Sequence, residues 1–168
     1  MEELKAKKTS ESSIETTHLM MPQHANPGGK IYGGTILGMA DAVAYMCAAR
    51  HSTPDCVTVS VDQVDFRDPI NIGEVVTFKA CINYVGRTSM EVGIRIETED
   101  LKTGRRRHTN SCYFTMVSVD REGRPAPVPR LLLETPDEKR RFEEGRIRRE
   151  HAKELSEKRR VFKNSLNP

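Results

Sequence analysis

One carboxylate stands alone in the most apolar stretch of the chain. From Gly33 to Ala49 the sequence runs Gly-Gly-Thr-Ile-Leu-Gly-Met-Ala-Asp-Ala-Val-Ala-Tyr-Met-Cys-Ala-Ala, with Asp41 its single charge and Lys30 and Arg50 on the flanks. A carboxylate in such surroundings raises its own pKa or demands a polar partner, and carboxylates kept under those conditions tend to be functional. Asp41 is therefore the first residue assigned a chemical role. Ahead of it, His24 and Asn26 lie in Pro22-Gln-His-Ala-Asn-Pro-Gly-Gly-Lys-Ile-Tyr, whose two prolines and two glycines make it a loop. Polar side chains in a loop that leads into a buried helix are well placed for chemistry.

These residues need a scaffold, and the hydrophobic pattern supplies one. Thr35 to Ala49 is rich in Ala, Leu and Met, and its apolar residues surround the axis, so it is expected as a central helix buried on every side. Ser13 to Met21 alternates loosely as a first strand. Cys56 to Phe66 alternates with a change of phase, predicting a bulge near Asp62 or Gln63 after a turn at Ser52 to Asp55. Glu74 to Val85 places Val76, Phe78, Ala80, Ile82 and Tyr84 on one face, Met90 to Glu99 repeats the pattern, and His108 to Asp120 makes a last strand. One helix and mostly hairpin-linked strands give an α+β fold with one antiparallel sheet. A twisted sheet can curl around a helix without enclosing it. A second copy is expected to close the open side, where Gly34, Gly38 and Ala42 recur every four residues and allow close approach.

Length and composition bound the rest. The 168 residues suit one domain: a frayed N-terminus over residues 1–12, the α+β domain over 13–135, and a charged helical extension over 136–168. The net charge of +3 comes from that extension, where Asp137 to Lys163 holds 11 Lys or Arg against 7 Asp or Glu. Acid-first pairs Asp137/Arg141, Glu144/Arg148 and Glu154/Lys158 support an exposed helix there. Its interspersed acids and the lack of an aromatic platform disfavour a nucleic-acid partner. The charged N-terminus carries no signal-like apolar run, and no segment is long and apolar enough to span a membrane. Cys47, Cys56, Cys81 and Cys112 lie singly, so they are expected as buried thiols in the reducing cytoplasm, with neither they nor the histidines forming a metal site.

His24-Ala-Asn26-Pro-Gly-Gly29, then Gly33-Gly34, Asp41, Val59-Ser-Val-Asp62, Phe66 and Gly86-Arg87-Thr88-Ser89 together resemble the acyl-CoA thioesterases of the hotdog superfamily. The resemblance is to the group that holds brain acyl-CoA hydrolase and the bacterial short-chain acyl-CoA hydrolases, and it runs from about Ile14 to Val119. It implies a sheet wrapped around one long helix, and dimers that assemble further into hexamers as a trimer of dimers. It also implies hydrolysis of acyl-CoA to a fatty acid and free CoA, with Asn26 from one protomer and Asp41 from its neighbour. No cofactor is implied beyond the coenzyme A of substrate and product.

The residue chemistry agrees. Thiols ionise near pKa ~8.5, so a thiolate leaves without a strong general acid. Asp41 suits a general base for water, or a nucleophile, and Asn26 can hold the water or the thioester. The backbone N–H groups of Gly33 and Gly34 open a helix and suit an oxyanion. Arg87, Thr88 and Ser89 on a tight turn offer donors to CoA phosphates. Plainer uses compete: a core carboxylate tied to a backbone group or the Tyr45 hydroxyl, a turn-forming Asn26, glycines that only pack, a His24 that donates within its loop, an incidental Arg87. An acyl-CoA-binding sensor without catalysis is the alternative function.

Overall fold

The all-round apolar helix and the alternating strands resolve into one sheet with a helix against each face. The computed structural model describes residues 4–52, 55–62, 64 and 66–166. The chain runs β1 (Lys7–Lys8), β2 (Ile14–Leu19), α1 (Gly33–Ser52), β3 (Asp55–Val61), β4 (Val75–Val85), β5 (Ser89–Asp100), β6 (Arg105–Val119), β7 (Leu131–Leu132) and α2 (Pro136–Leu166). The five-stranded sheet has the order β2-β4-β5-β6-β3 with every neighbouring pair antiparallel, and β1 pairs with β7 in parallel. Among the described residues, no helix is long and apolar enough to cross a membrane.

Strand alternation sorts the two faces. Val76, Phe78, Ala80 and Ile82 of β4, Val92, Ile94 and Ile96 of β5, and Cys112, Phe114 and Met116 of β6 form the core with Ile36, Ala40, Val43, Ala44 and Cys47 of α1. Each large side chain so buried contributes about 1.5–3 kcal/mol. This curled sheet around a long helix is the hotdog arrangement. α1 is not buried on every side within one chain, however: Gly34, Gly38, Ala42 and Tyr45 form an exposed stripe along it. The curled sheet covers only one side of the cylinder, and small residues mark the side it leaves open.

Three local expectations change. The β3 irregularity falls between Thr58 and Ser60, where the register against β6 shifts, and not near Asp62; Gln63, like Thr53 and Pro54 of the expected turn, lies outside the described residues. A second register shift, between Ile82 and Tyr84, turns Tyr84 out of the α1 face, and its ring lies 5.0 Å from that of Phe142 on α2. The segment before residue 13 is not frayed throughout. Lys7 and Lys8 pair with Leu131 and Leu132, and Thr9 and Ser12 are buried, because β7 offers them a backbone partner.

α2 starts with a cap in which Thr135 Oγ1 accepts from the Glu138 N–H and the Glu138 carboxylate accepts from the Thr135 N–H. Of its expected acid-first pairs, Arg141 meets Asp137 at 2.7 Å, whereas Arg148 leaves Glu144 for the sheet. There it pairs with buried Glu91 at 2.7 Å and lies 3.7 Å over the Tyr113 ring. Gly145 permits that docking: a methyl group on it would sit 2.8 Å from Tyr84 Cβ.

Candidate active site

Asp41 is on the third turn of α1, beside the exposed stripe and only partly buried. It takes a polar partner: Thr58 Oγ1 donates to Asp41 Oδ1 at 2.7 Å, which ties the helix to edge strand β3. Tyr45 does not hold it, because the Tyr45 hydroxyl donates to Asp55 Oδ1 at 2.9 Å. Asp41 thus has one carboxylate oxygen fixed by a hydroxyl while it remains reachable from the open side of the helix.

The loop before α1 is a small closed hairpin. The Asn26 N–H donates to the Lys30 carbonyl at 2.7 Å, the Lys30 N–H donates to Asn26 Oδ1 at 3.2 Å, and Gly29 takes φ 75° to close the turn. Asn26 therefore shapes the turn with its carbonyl oxygen, while its Nδ2 donor has no partner among the described residues. His24 accepts rather than donates: its Nδ1 takes the Met21 N–H at 3.1 Å, and its carbonyl takes the Tyr32 N–H at 2.9 Å. That role fixes the loop.

At the start of α1 the Tyr32 carbonyl accepts from Thr35 and Ile36. The N–H groups of Gly33 and Gly34 lie ahead of the first helical bonds and have no acceptor among the described residues, as helix geometry dictates. They add to the positive end of the helix dipole and suit a developing negative oxygen.

Gly86, Arg87 and Thr88 link β4 to β5, and Ser89 opens β5. The Gly86 N–H donates to Ser89 O at 2.8 Å, Ser118 donates to Thr88 O at 3.0 Å, and Val128 donates to Arg87 O at 3.1 Å. This backbone clamp leaves the Arg87 side chain exposed.

Register shows what one chain brings together. Thr58 is opposite Met116, Met116 is opposite Met90, and Ser118 bonds Thr88, so Asp41, Thr58 and the Arg87–Ser89 turn share one end of the sheet. Asn26 and the helix start lie towards the other end, where Ile31 bonds Ile70 and Met20 bonds Glu74 ahead of β4. Along α1, Gly33 and Asp41 are separated by about 12 Å at 1.5 Å per residue. Thr58 was not singled out from the sequence. Its only signal was a hydroxyl on an alternating strand, and only the fold shows that it faces Asp41.

A family model described as Thioesterase superfamily matches residues 28–105. Protein VdlD of Helicobacter pylori is 47% identical over 134 residues, covering 80% of this chain and 76% of that protein. An apo hexameric acyl-CoA thioesterase superposes with TM-score 0.87 at 35% identity, covering 91% of this chain and 98% of that one. An acyl-CoA hydrolase of Staphylococcus aureus in complex with butyryl coenzyme A, coenzyme A and coenzyme A disulfide superposes with TM-score 0.83 at 31% identity, covering 93% and 96%. Structures of that hydrolase with alanine in place of an Asn, an Asp and a Thr are also known, and those positions have the same spacing along the chain as Asn26, Asp41 and Thr58. The present chain belongs to the acyl-CoA thioesterases of the hotdog superfamily.

Proposed function

We propose that this protein hydrolyses acyl-CoA thioesters to a carboxylic acid and free CoA, at sites shared between two copies of the chain. The observation that carries the proposal is the split within one chain: the unpartnered amides of Gly33 and Gly34 lie about two helical turns from the Asp41–Thr58 pair. Antiparallel packing of two α1 helices about a two-fold axis through Gly38 sets Gly34 of one copy against Ala42 of the other. Asp41 then faces the helix start and Asn26 loop of its neighbour. Small residues along the exposed stripe permit that approach, and a two-fold repeats the site twice. Val57 and Val59 on β3 are 46% and 60% exposed, which leaves apolar surface on the open edge of the sheet. The similar apo structure is hexameric, which supports a trimer of such dimers.

In the proposed reaction the thioester carbonyl rests on the Gly33 and Gly34 amides. Asp41, oriented by Thr58, takes a proton from water as the water oxygen adds to the carbonyl carbon. The negative oxygen is held by the amides, and collapse breaks the C–S bond and releases the thiolate. Asn26 Nδ2 holds the water or the thioester, and Arg87 with Thr88 and Ser89 receives CoA phosphates. No cofactor enters, and four free thiols, buried at Cys47, Cys56 and Cys112 and half-buried at Cys81, fit a reducing, cytoplasmic setting. The test is thiol release from acyl-CoAs of several chain lengths. Turnover by the wild type, lost in Asp41→Asn with CoA still bound, supports the proposal. Binding with no turnover at any length would leave an acyl-CoA-binding protein instead.

A further inference from the structure

We propose that Tyr32 and Phe66 are specificity-determining residues of this site: their rings form the two walls of a slot that admits the planar thioester to the amides of Gly33 and Gly34. The proposal rests on the assignment of those amides to the thioester. Each ring closes on one of the two glycines. A methyl group on Gly34 would sit 2.5 Å from Tyr32 Cε1, and one on Gly33 would sit 3.3 Å from Phe66 Cζ. The rings come from different segments, one preceding α1 and one following β3, so two separate parts of the chain converge on the same helical turn.

Neither ring is there to fill the core. Tyr32 is 59% and Phe66 52% exposed, while Phe78 and Phe114 are fully buried inside the sheet. The Tyr32 hydroxyl has no partner among the described residues, unlike that of Tyr45, so hydrogen bonding does not hold the ring in place. What the two rings do share is the helix start, where the N–H groups of Gly33 and Gly34 have no acceptor among the described residues. With a thioester seated between them, aromatic walls would shield those donors from water, which strengthens each N–H toward a carbonyl oxygen. The glycines follow from the same arrangement, since any side chain at Gly34 would displace the Tyr32 ring.

The test compares Tyr32→Ala, Phe66→Ala and Tyr32→Phe with the wild type. Two ligands are measured: CoA itself, and a 2-oxoalkyl-CoA, a thioether that keeps the carbonyl and cannot be hydrolysed. Each alanine variant is expected to weaken the 2-oxoalkyl-CoA, whose carbonyl takes the amides, by about tenfold, with CoA, which has no such carbonyl, changed by less than about twofold. Tyr32→Phe, which keeps the ring, is expected to match the wild type, and oligomer mass is expected to be unchanged. Equal weakening of both ligands, no weakening of either, or dissociation to monomers with the ligand effect absent would overturn the proposal. A wild type that binds 2-oxoalkyl-CoA but hydrolyses no acyl-CoA would refute the hydrolase assignment alone, and the affinity difference would still decide the role of the rings.

Discussion

Thr58 Oγ1 lies 2.7 Å from Asp41 Oδ1, a bond that joins edge strand β3 to the middle of α1. The donor is a hydroxyl with a fixed position on a strand, so it orients the carboxylate and leaves the second oxygen open. In the proposed reaction Thr58 is therefore a positioning residue for Asp41. Thr58→Ala is expected to lower kcat by about tenfold, the equivalent of one hydrogen bond of about 1.4 kcal/mol, with KM little changed. Thr58→Ser keeps the hydroxyl and is expected to recover most of the loss. Unchanged kcat in Thr58→Ala would remove this role.

Acid sensitivity of the fold should trace to His51. Its ring is fully buried, with Nε2 3.0 Å from the Pro129 carbonyl and Nδ1 3.4 Å from Ser12 Oγ. Burial lowers its pKa from the ordinary 6.5. The unfolded chain then binds more protons than the folded one just below 6.5, so stability is full above that value and falls as pH drops through it. Carboxylates behave differently: Glu97, held at about 2 by its hydrogen bonds to Lys79 and Arg95, loses its contribution only below its ordinary 4.5. Denaturant midpoints between about pH 7.5 and about pH 5.5 are expected to fall for the wild type and to stay flatter for His51→Gln. A wild-type midpoint that rises on acidification would contradict the assignment.

One buried ion pair anchors α2 to the sheet. Arg148 reaches Glu91, whose side chain is 8% exposed, and Asn83 Nδ2 donates to the same carboxylate at 3.2 Å. Removing the cation strands a buried charge, so Arg148→Ala is expected to cost about 3 kcal/mol in equilibrium unfolding. Faster amide exchange in residues 137–150 of α2 would accompany it, since Phe142 and Gly145 dock beside the pair. Stability unchanged in this variant would show that the helix is held by its apolar contacts.

Much of this was legible from residue pattern, for physical reasons. A strand with one buried face announces itself by alternation, as in Val76, Phe78, Ala80 and Ile82, and Asp41 is conspicuous because nothing else near it is charged. Periodicity says which face a residue lies on, and no more. It cannot say that Thr58 meets Asp41, because that pairing depends on how a strand and a helix distant in space are laid against each other. Bulges defeat it locally, which is why Tyr84 left the face assigned to it and the β3 irregularity fell at another position. A helix of small residues looks the same from every direction, so the side left open to solvent emerged only once the sheet was in place. The parallel pairing of Lys7–Lys8 with Leu131–Leu132 joins the two ends of the described domain, and two-residue strands leave no local signal at all.

Co-expression of two inactive chains tests the shared site most directly. Asp41→Asn is expected to lose about 10²–10⁴ in kcat, and Asn26→Ala about 10². When the two variants are co-expressed under different affinity tags and the mixed dimer is purified, one of its two sites has both wild-type residues and the other has neither. If each site takes Asn26 from one chain and Asp41 from the other, the mixed dimer should recover about half the wild-type rate per dimer. A mixed dimer as inactive as its parents would place both residues in the same chain's site and contradict the two-chain arrangement.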